Sequence, residues 1–522
     1  MKNYFFKIFF LLCMVMNLHA QQKQSGLYVG NEFQGEMDFY ESLDWIALNA
    51  QDGGEYSIVL KENLAVSSNV LDYEGKSVII TLKSAVADTN IQLSYATRSP
   101  SSSLFTIKKG VTFVLENGIE LIGRSSASRP PVTVDGGNFI MNGGTIKDSV
   151  VDHSSSWFGG GVDILRGSSF VMNDGIISGN SCSGGGAGIN VGENSTFIMN
   201  GGYISNNSIR DKGMGTGFGG GVFVGKNATF TMNNGTIMNN MASYGNGYGG
   251  GGGVYVNGTF TMVDGSIKNN ICEKDRSASR GDGGGVYVSG IGEFVMHGGT
   301  ISENEGGVYI RSHILSQFIR PGNGKGKFTM NGGKISNNIN KYYNSGVHVD
   351  GMFIMNNGVI EKNGCRKGGG VYVEEGSFIM NDGTIKENFA YGSSGYSYGG
   401  GGIYIYSNAT FTMNGGLIEN NRAYRDSTGG GGVFVDGKFM MNGGTIRANR
   451  ATKSGGGVLV QGTFIKSNTA GIIYGGDATD DEANLADQYG HAVYTKNGSR
   501  DTTARASMKL DSSKQGADGG WE

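Results

Sequence analysis

The stretch FTMNGGKISNN, residues 328 to 338, is written with small changes eleven times along a chain of 522 residues. Aligned on phenylalanine, the copies begin at Phe139, Phe170, Phe197, Phe230, Phe260, Phe294, Phe328, Phe353, Phe378, Phe411 and Phe439, with degraded copies at Phe113 and Phe464. The spacing runs from 25 to 34 residues and 25 occurs three times, so 25 is the unit and longer spacings carry insertions. Self-similarity at such a period means a solenoid, in which each unit buries its core only against its neighbours. That outweighs the two or three domains that length alone would suggest. The 94 glycines follow no Gly-X-Y period, and the regular apolar spacing argues for a folded chain.

Within one unit, FIMNNGVIEKNGCRKGGGVYVEEGS (353–377), three apolar pieces are separated by glycines. None is long enough for a helix, and their alternation suits strands. Three short strands per coil describe an all-β, right-handed parallel β-helix of about 13 coils stacked at about 4.8 Å. Met follows each anchor Phe at the second position (Met141 to Met441), so period-2 alternation turns both inward. In the GGGVYV piece the flanks are Val or Ile, while the middle position also holds Asp163, Asn190 and His348. A buried unpaired Asp costs several kcal/mol, so the middle position is expected to face solvent. Three residues after the second-strand Ile comes Asn180, Asn207, Asn240, Asn270, Asn304, Asn338, Asn363, Asn388, Asn421 or Asn449, with Ser149 the departure. Stacked amides of this kind can form a ladder.

The ends divide the chain. Residues 1–20 have a positive start (Lys2, Lys7), a short apolar run and an Ala20 cleavage site, as a secretory signal does. Their removal takes the net charge from −3 to −5, which disfavours nucleic acid. No later segment is long and apolar enough to span a membrane. Residues 21–98 are expected to hold irregular first coils and a capping helix over 38–50, with Leu43, Ile46, Ala47 and Ala50 on its buried face. The repeats occupy 99–468, and 469–522 form the other cap. Cys182, Cys272 and Cys365 lie on one edge, three coils apart pairwise, or about 14 Å, beyond disulfide reach, so free thiols are expected.

Two features suggest binding. The middle position of the third strand reads Phe223, Tyr255, Tyr287, Tyr309, His348, Tyr372, Tyr404, Phe434 along consecutive coils. If exposed, that is an aromatic stripe about 35 Å long, suited to sugar rings or a protein partner. Nearly all insertions fall between the Asn column and the GGG, beside the stripe, and are rich in Tyr, Ser and Gly. One insertion, 311–327, follows the third strand instead and carries Arg311, Arg320, Lys325 and Lys327, a basic patch for an anionic ligand. Chemistry is harder to find. Asp174, Asp264 and Asp382 sit in turns that are N-G-G or N-N-G in other coils, which reads as a turn role. Asp477, Asp480, Asp481 and Glu482 lack the order of a calcium loop. No catalytic motif, metal set or cofactor loop appears.

Nine of the anchors read F-x-x-N, as at Phe139–Asn142 and Phe411–Asn414, and the third strand opens with G-G-G-V, G-G-G-I or GGAGI (185–189). Alternating F-x-x-N and G-G-A-[ILV] tetrapeptides resemble the polymorphic outer-membrane protein adhesins, and the fold resembles the pectin lyase-like superfamily. The resemblance covers roughly residues 100–470 and implies an exported surface adhesin with a glycan or a protein as ligand. Its alternative implication is a polysaccharide lyase or hydrolase, which would need clustered carboxylates. The adhesins end in a membrane barrel; the roughly fifty residues after the last repeat are too few for one.

Overall fold

Each F-x-M piece becomes a four-residue strand whose Phe and Met turn inward and whose alternate residues stay half-exposed, as in Thr259–Met262 of the computed structural model. Every such strand pairs in parallel with its counterpart in the next coil, residue on residue. Phe294 meets Phe328, Ile301 meets Ile335 and Val308 meets Val347. The result is a parallel β-helix with three long sheets of 18, 15 and 16 strands. The structure describes residues 24–521 except 87–88, 97–100, 153–157, 211–216, 245–248, 275–282, 313–323, 341–344, 393–397, 425–426, 467–470, 477–480, 489, 496–498 and 501–519. The expected signal segment therefore lies outside the described residues.

The repeated columns are the core. Anchor rings stack from Phe139 to Phe464 with centroids 4.6 to 5.0 Å apart. Each Met packs on a turn glycine of the next coil. A Cβ placed on Gly175, which has φ +107°, would sit 2.5 Å from Cε of Met141, and Gly358 stands the same way to Met330. Glycine is required there twice over, by backbone and by space.

The asparagine column is a ladder, as expected. Asn338 Nδ2 donates to Asn363 Oδ1 at 3.0 Å and to the Ile301 carbonyl at 3.0 Å, and its backbone N–H donates to the same Asn363 Oδ1 at 2.9 Å. Asn304 repeats these bonds onto Asn338. The buried amides thus pair completely, which is what makes a polar column tolerable inside the coil. Ser149 ends the ladder by donating its backbone N–H to Asn180 Oδ1.

Three details differ from the sequence reading. A fourth set of strands, only two to four residues each, follows the ladder Asn in most coils and pairs in two short parallel sheets, Val150 to Lys274 and Gly364 to Ala486. At the N-terminus the helix spans Phe39–Asn49, capped by an Asp38–Glu41 capping box. Phe39, Ser42 and Ile46 are buried with Ala50, and Leu43 packs on the core, but Ala47 faces solvent because the buried stripe starts one position earlier than expected. At the C-terminus the coil outlasts the repeat. Ile472–Ile473, Leu485–Ala486, Val493–Thr495 and Ser499–Arg500 all continue the sheets, and Asn484 accepts from Asn449 as a further rung. Gly520–Trp521 then pairs antiparallel with Val493–Tyr494. Among the described residues no helix is long and apolar enough to cross a membrane.

Candidate functional site

The third-sheet middle column points away from the tube, as the alternation requires, yet it is not an exposed stripe. Phe434 is 1 % exposed, Tyr309 2 %, Tyr372 3 %, Tyr404 4 % and Tyr287 6 %, while Phe223 and Tyr255 are half-buried. The rings stack on one another instead. Tyr255–Tyr287, Tyr287–Tyr309 and Tyr404–Phe434 lie near-parallel at 4.9, 5.3 and 4.6 Å. His348 fits the gap between Tyr309 and Tyr372, at 4.4 and 4.8 Å, with Nε2 3.0 Å from Glu374 Oε2. The expectation of exposure is corrected by this stacking, which with contacts from Phe218 and Lys367 makes the column a second, external spine.

Described parts of those insertions show how they are rooted. Phe218 packs on Tyr255 at 4.6 Å and on Phe223 at 6.4 Å. Neighbouring loops pair with each other as strands, Gly217–Phe218 with Gly249–Gly250 and Tyr398–Gly399 with Ser427–Gly429. Lys367 lays its ammonium 5.4 to 5.7 Å from the rings of Tyr372, Tyr404 and Tyr406. Burial there holds it below lysine's ordinary pKa, against the pull of Glu374 and Asp436. Next to it, Tyr391, Tyr406, Tyr424 and Arg422 stand partly or fully exposed at the foot of the loop row, with the Arg422 guanidinium 5.3 Å from the Tyr424 ring.

The same column opens with polar residues. Asp163 is fully buried, not exposed as its charge suggested. Asn190 Nδ2 donates to its Oδ1 at 2.7 Å, while Oδ2 is buried with no hydrogen-bond partner among the described residues. Desolvation raises its pKa to about 6, against the pull of Asn190 and Arg129. Arg129 is itself held over the Phe158 ring at 3.7 Å.

Of the basic patch, Lys325 is exposed. Arg311 is half-buried at the end of the strand Val308–Ile310, Arg320 lies outside the described residues, and Lys327 is paired with Glu293 at 2.8 Å. The three turn aspartates behave as turn residues. Asp174, Asp264 and Asp382 each accept the N–H of the following glycine at 2.7 to 2.8 Å. Of the C-terminal acidic residues, 477 and 480 lie outside the described residues, and Glu482 meets Arg447 at 3.3 Å. Among the described residues no three His, Cys, Asp or Glu side chains gather as a metal would require. Cys182, Cys272 and Cys365 are free and buried, and burial pushes the thiols of Cys182 and Cys365 up to about 12.

One functional-looking element was not foreseen. The last residue of F-x-x-N builds a second, exposed amide ladder. Asn173, Asn200 and Asn233 each donate to the Asn one coil back at 2.7 to 2.8 Å, and Asn356, Asn381, Asn414 and Asn442 do so at 2.8 to 2.9 Å. Val263 and His297 interrupt it, and the tetrapeptide itself was the signal. The geometry defines a parallel β-helix solenoid whose insertions are rooted beside the third sheet. Compared with family models, curated proteins and solved structures, the chain gives no match.

Proposed function

We propose that this is an exported, adhesin-like binding protein without catalytic activity, which presents its loop row to a glycan or to a surface protein. The supporting observation is the footing of the loops. Stacked rings, strand pairs between the described ends of neighbouring insertions and the Lys367 contact root those ends side by side on the sheet. Binding loops on a stiff scaffold lose little entropy on contact. Tyr, Ser and Gly, which fill these segments, combine rigid amphipathic area with adaptable hydrogen bonding. Export rests on residues 1–20 and adhesin character on the tetrapeptide resemblance.

The test incubates the mature chain, with calcium, against acidic and neutral polysaccharides. It follows retention on each polymer, new reducing ends and absorbance of unsaturated sugars. Retention without turnover is expected. Replacing 275–282 or 393–397 by short Gly-Ser links should each weaken it several-fold while the far-ultraviolet circular dichroism stays that of a β-helix. Turnover would transfer the protein to the polysaccharide lyase and hydrolase class. Retention that ignores both replacements would move binding off the loop row.

A further inference from the structure

Among the described residues, most outward side chains of the first sheet stay half-exposed or exposed. Its outward residues run in two straight columns, because every coil pairs with the next without a register shift from Val111–Leu115 to Thr463–Lys466. The inner of these columns holds no charge. Ile140, Val171, Ile198, Ile354, Ile379 and Met440 stand in it half-exposed, and between them come Thr, Val and Ile. The companion column is mostly Ser and Thr, with an ion pair, Glu293 and Lys327 at 2.8 Å, on adjacent coils at its middle and an exposed Lys438 near its C-terminal end. A long face with so few charges and a continuous uncharged column marks an interaction site. The twelve coil steps and the four-residue strand width give a strip of about 58 Å by about 13 Å, on the order of 750 Å². That is close to the roughly 800 Å² each partner contributes to a stable interface.

We propose that this strip is a self-association face on which a second copy of the chain seats, with its tube antiparallel. Two sheets packed face to face at about 10 Å are an ordinary way to bury such surfaces. The charge pair selects the arrangement. A two-fold axis parallel to the strands, between the Glu293 and Lys327 coils, sets Glu293 of each copy against Lys327 of the other. It also lays each apolar column on its equivalent. Parallel tubes related by an axis along the helix would bring each coil against itself and lose that complementarity. The contact is isologous and closes at two copies, as a symmetric dimer requires. It leaves the third sheet of both copies, beside which the insertions are rooted, outside the contact.

Sedimentation velocity of the mature chain across the nanomolar to micromolar range tests this. A concentration-dependent shift to twice the monomer mass is expected. Ile198→Glu and Ile379→Glu, which face outward and leave the core intact, should each weaken dimerisation at least tenfold with unchanged circular dichroism. Lys327→Glu should do the same, and adding Glu293→Lys to it should restore the dimer. A wild-type chain that stays monomeric throughout overturns the proposal, whether or not the strip then retains a polysaccharide. So does a dimer that survives all three single substitutions. If either isoleucine variant misfolds, Thr261→Glu on the same column takes its place.

Discussion

The carboxyl of Asp163 occupies the position at which later coils place a stacked ring, and its burial has a measurable consequence. Its ordinary pKa of 3.8 rises to about 6 in the folded chain, chiefly by desolvation. Between those values the folded protein holds a proton that the unfolded chain has released. Stability therefore falls as pH rises from about 4 to about 6 and stays lower above that, by on the order of 3 kcal/mol. The charged and polar groups around it do not cancel this. Asn190 and Arg129 favour the carboxylate, Asp135 opposes it, and desolvation outweighs them. Asp163→Asn keeps an acceptor for Asn190 and removes the titration. The variant should melt higher than the parent at pH 7.5 and almost equally at pH 4. An equal difference at both values would mean that the carboxyl is not the group responsible.

Two asparagine ladders with the same period differ in worth because one is buried and the other is not. Asn338→Ala leaves Asn304 N–H, Asn304 Nδ2 and the Ile301 carbonyl without their partner in the coil interior. Stranded groups cost about 1–3 kcal/mol each, so a loss of about 3–5 kcal/mol is expected. Asn381→Ala in the exposed ladder lets water replace the lost bonds and should cost less than about 1 kcal/mol. Urea midpoints of the two variants separate the cases; equal losses would contradict the burial argument. The inner ladder was legible in the sequence because its column is nearly invariant, and the Phe and Met columns for the same reason. The fourth strands were not, since pairs such as Ser181–Cys182, Gly364–Cys365 and Arg450–Ala451 are two residues long and bury only small side chains, too short for alternation to register. The burial of the aromatic column was hidden differently. Alternation fixes which side of a strand a residue faces, not whether the rings of one column bury each other by stacking. Asp163 misled because charge argued for solvent, while the folded column buries its carboxyl completely beside Asn190.

At the scale of the molecule, each coil contacts chiefly its neighbours, so stability is close to a sum of coil and interface contributions. The coil 353–377 allows a strict test, because Phe353, Ile360 and Val371 pair with Phe328, Ile335 and Val347 on one side and with Phe378, Ile385 and Ile403 on the other. Deleting 353–377 joins Met352 to Phe378, and Met352 already occupies the position of Ser377 in the next coil. Phe, Met, Ile and Asn columns then close up without a break, and Asn338 meets Asn388 in place of Asn363. The deletion removes Glu374, the partner of His348, and Lys367 over the ring column, so some local stability is lost. The shortened chain should still fold, with a β-rich circular dichroism spectrum and a tube about 4.8 Å shorter by small-angle scattering. Deleting 353–376 instead keeps one more residue and puts the retained Ser377 before Phe378 as an insertion between strands. That local bulge should cost more than the in-register deletion. Deleting 353–378 removes the anchor ring and turns Met380 outward in the joined strand, which reverses the face of every side chain up to the next turn. If the three deletions were equally stable, the coils would not be templating one another, and the repeat would have no structural reason to be so regular.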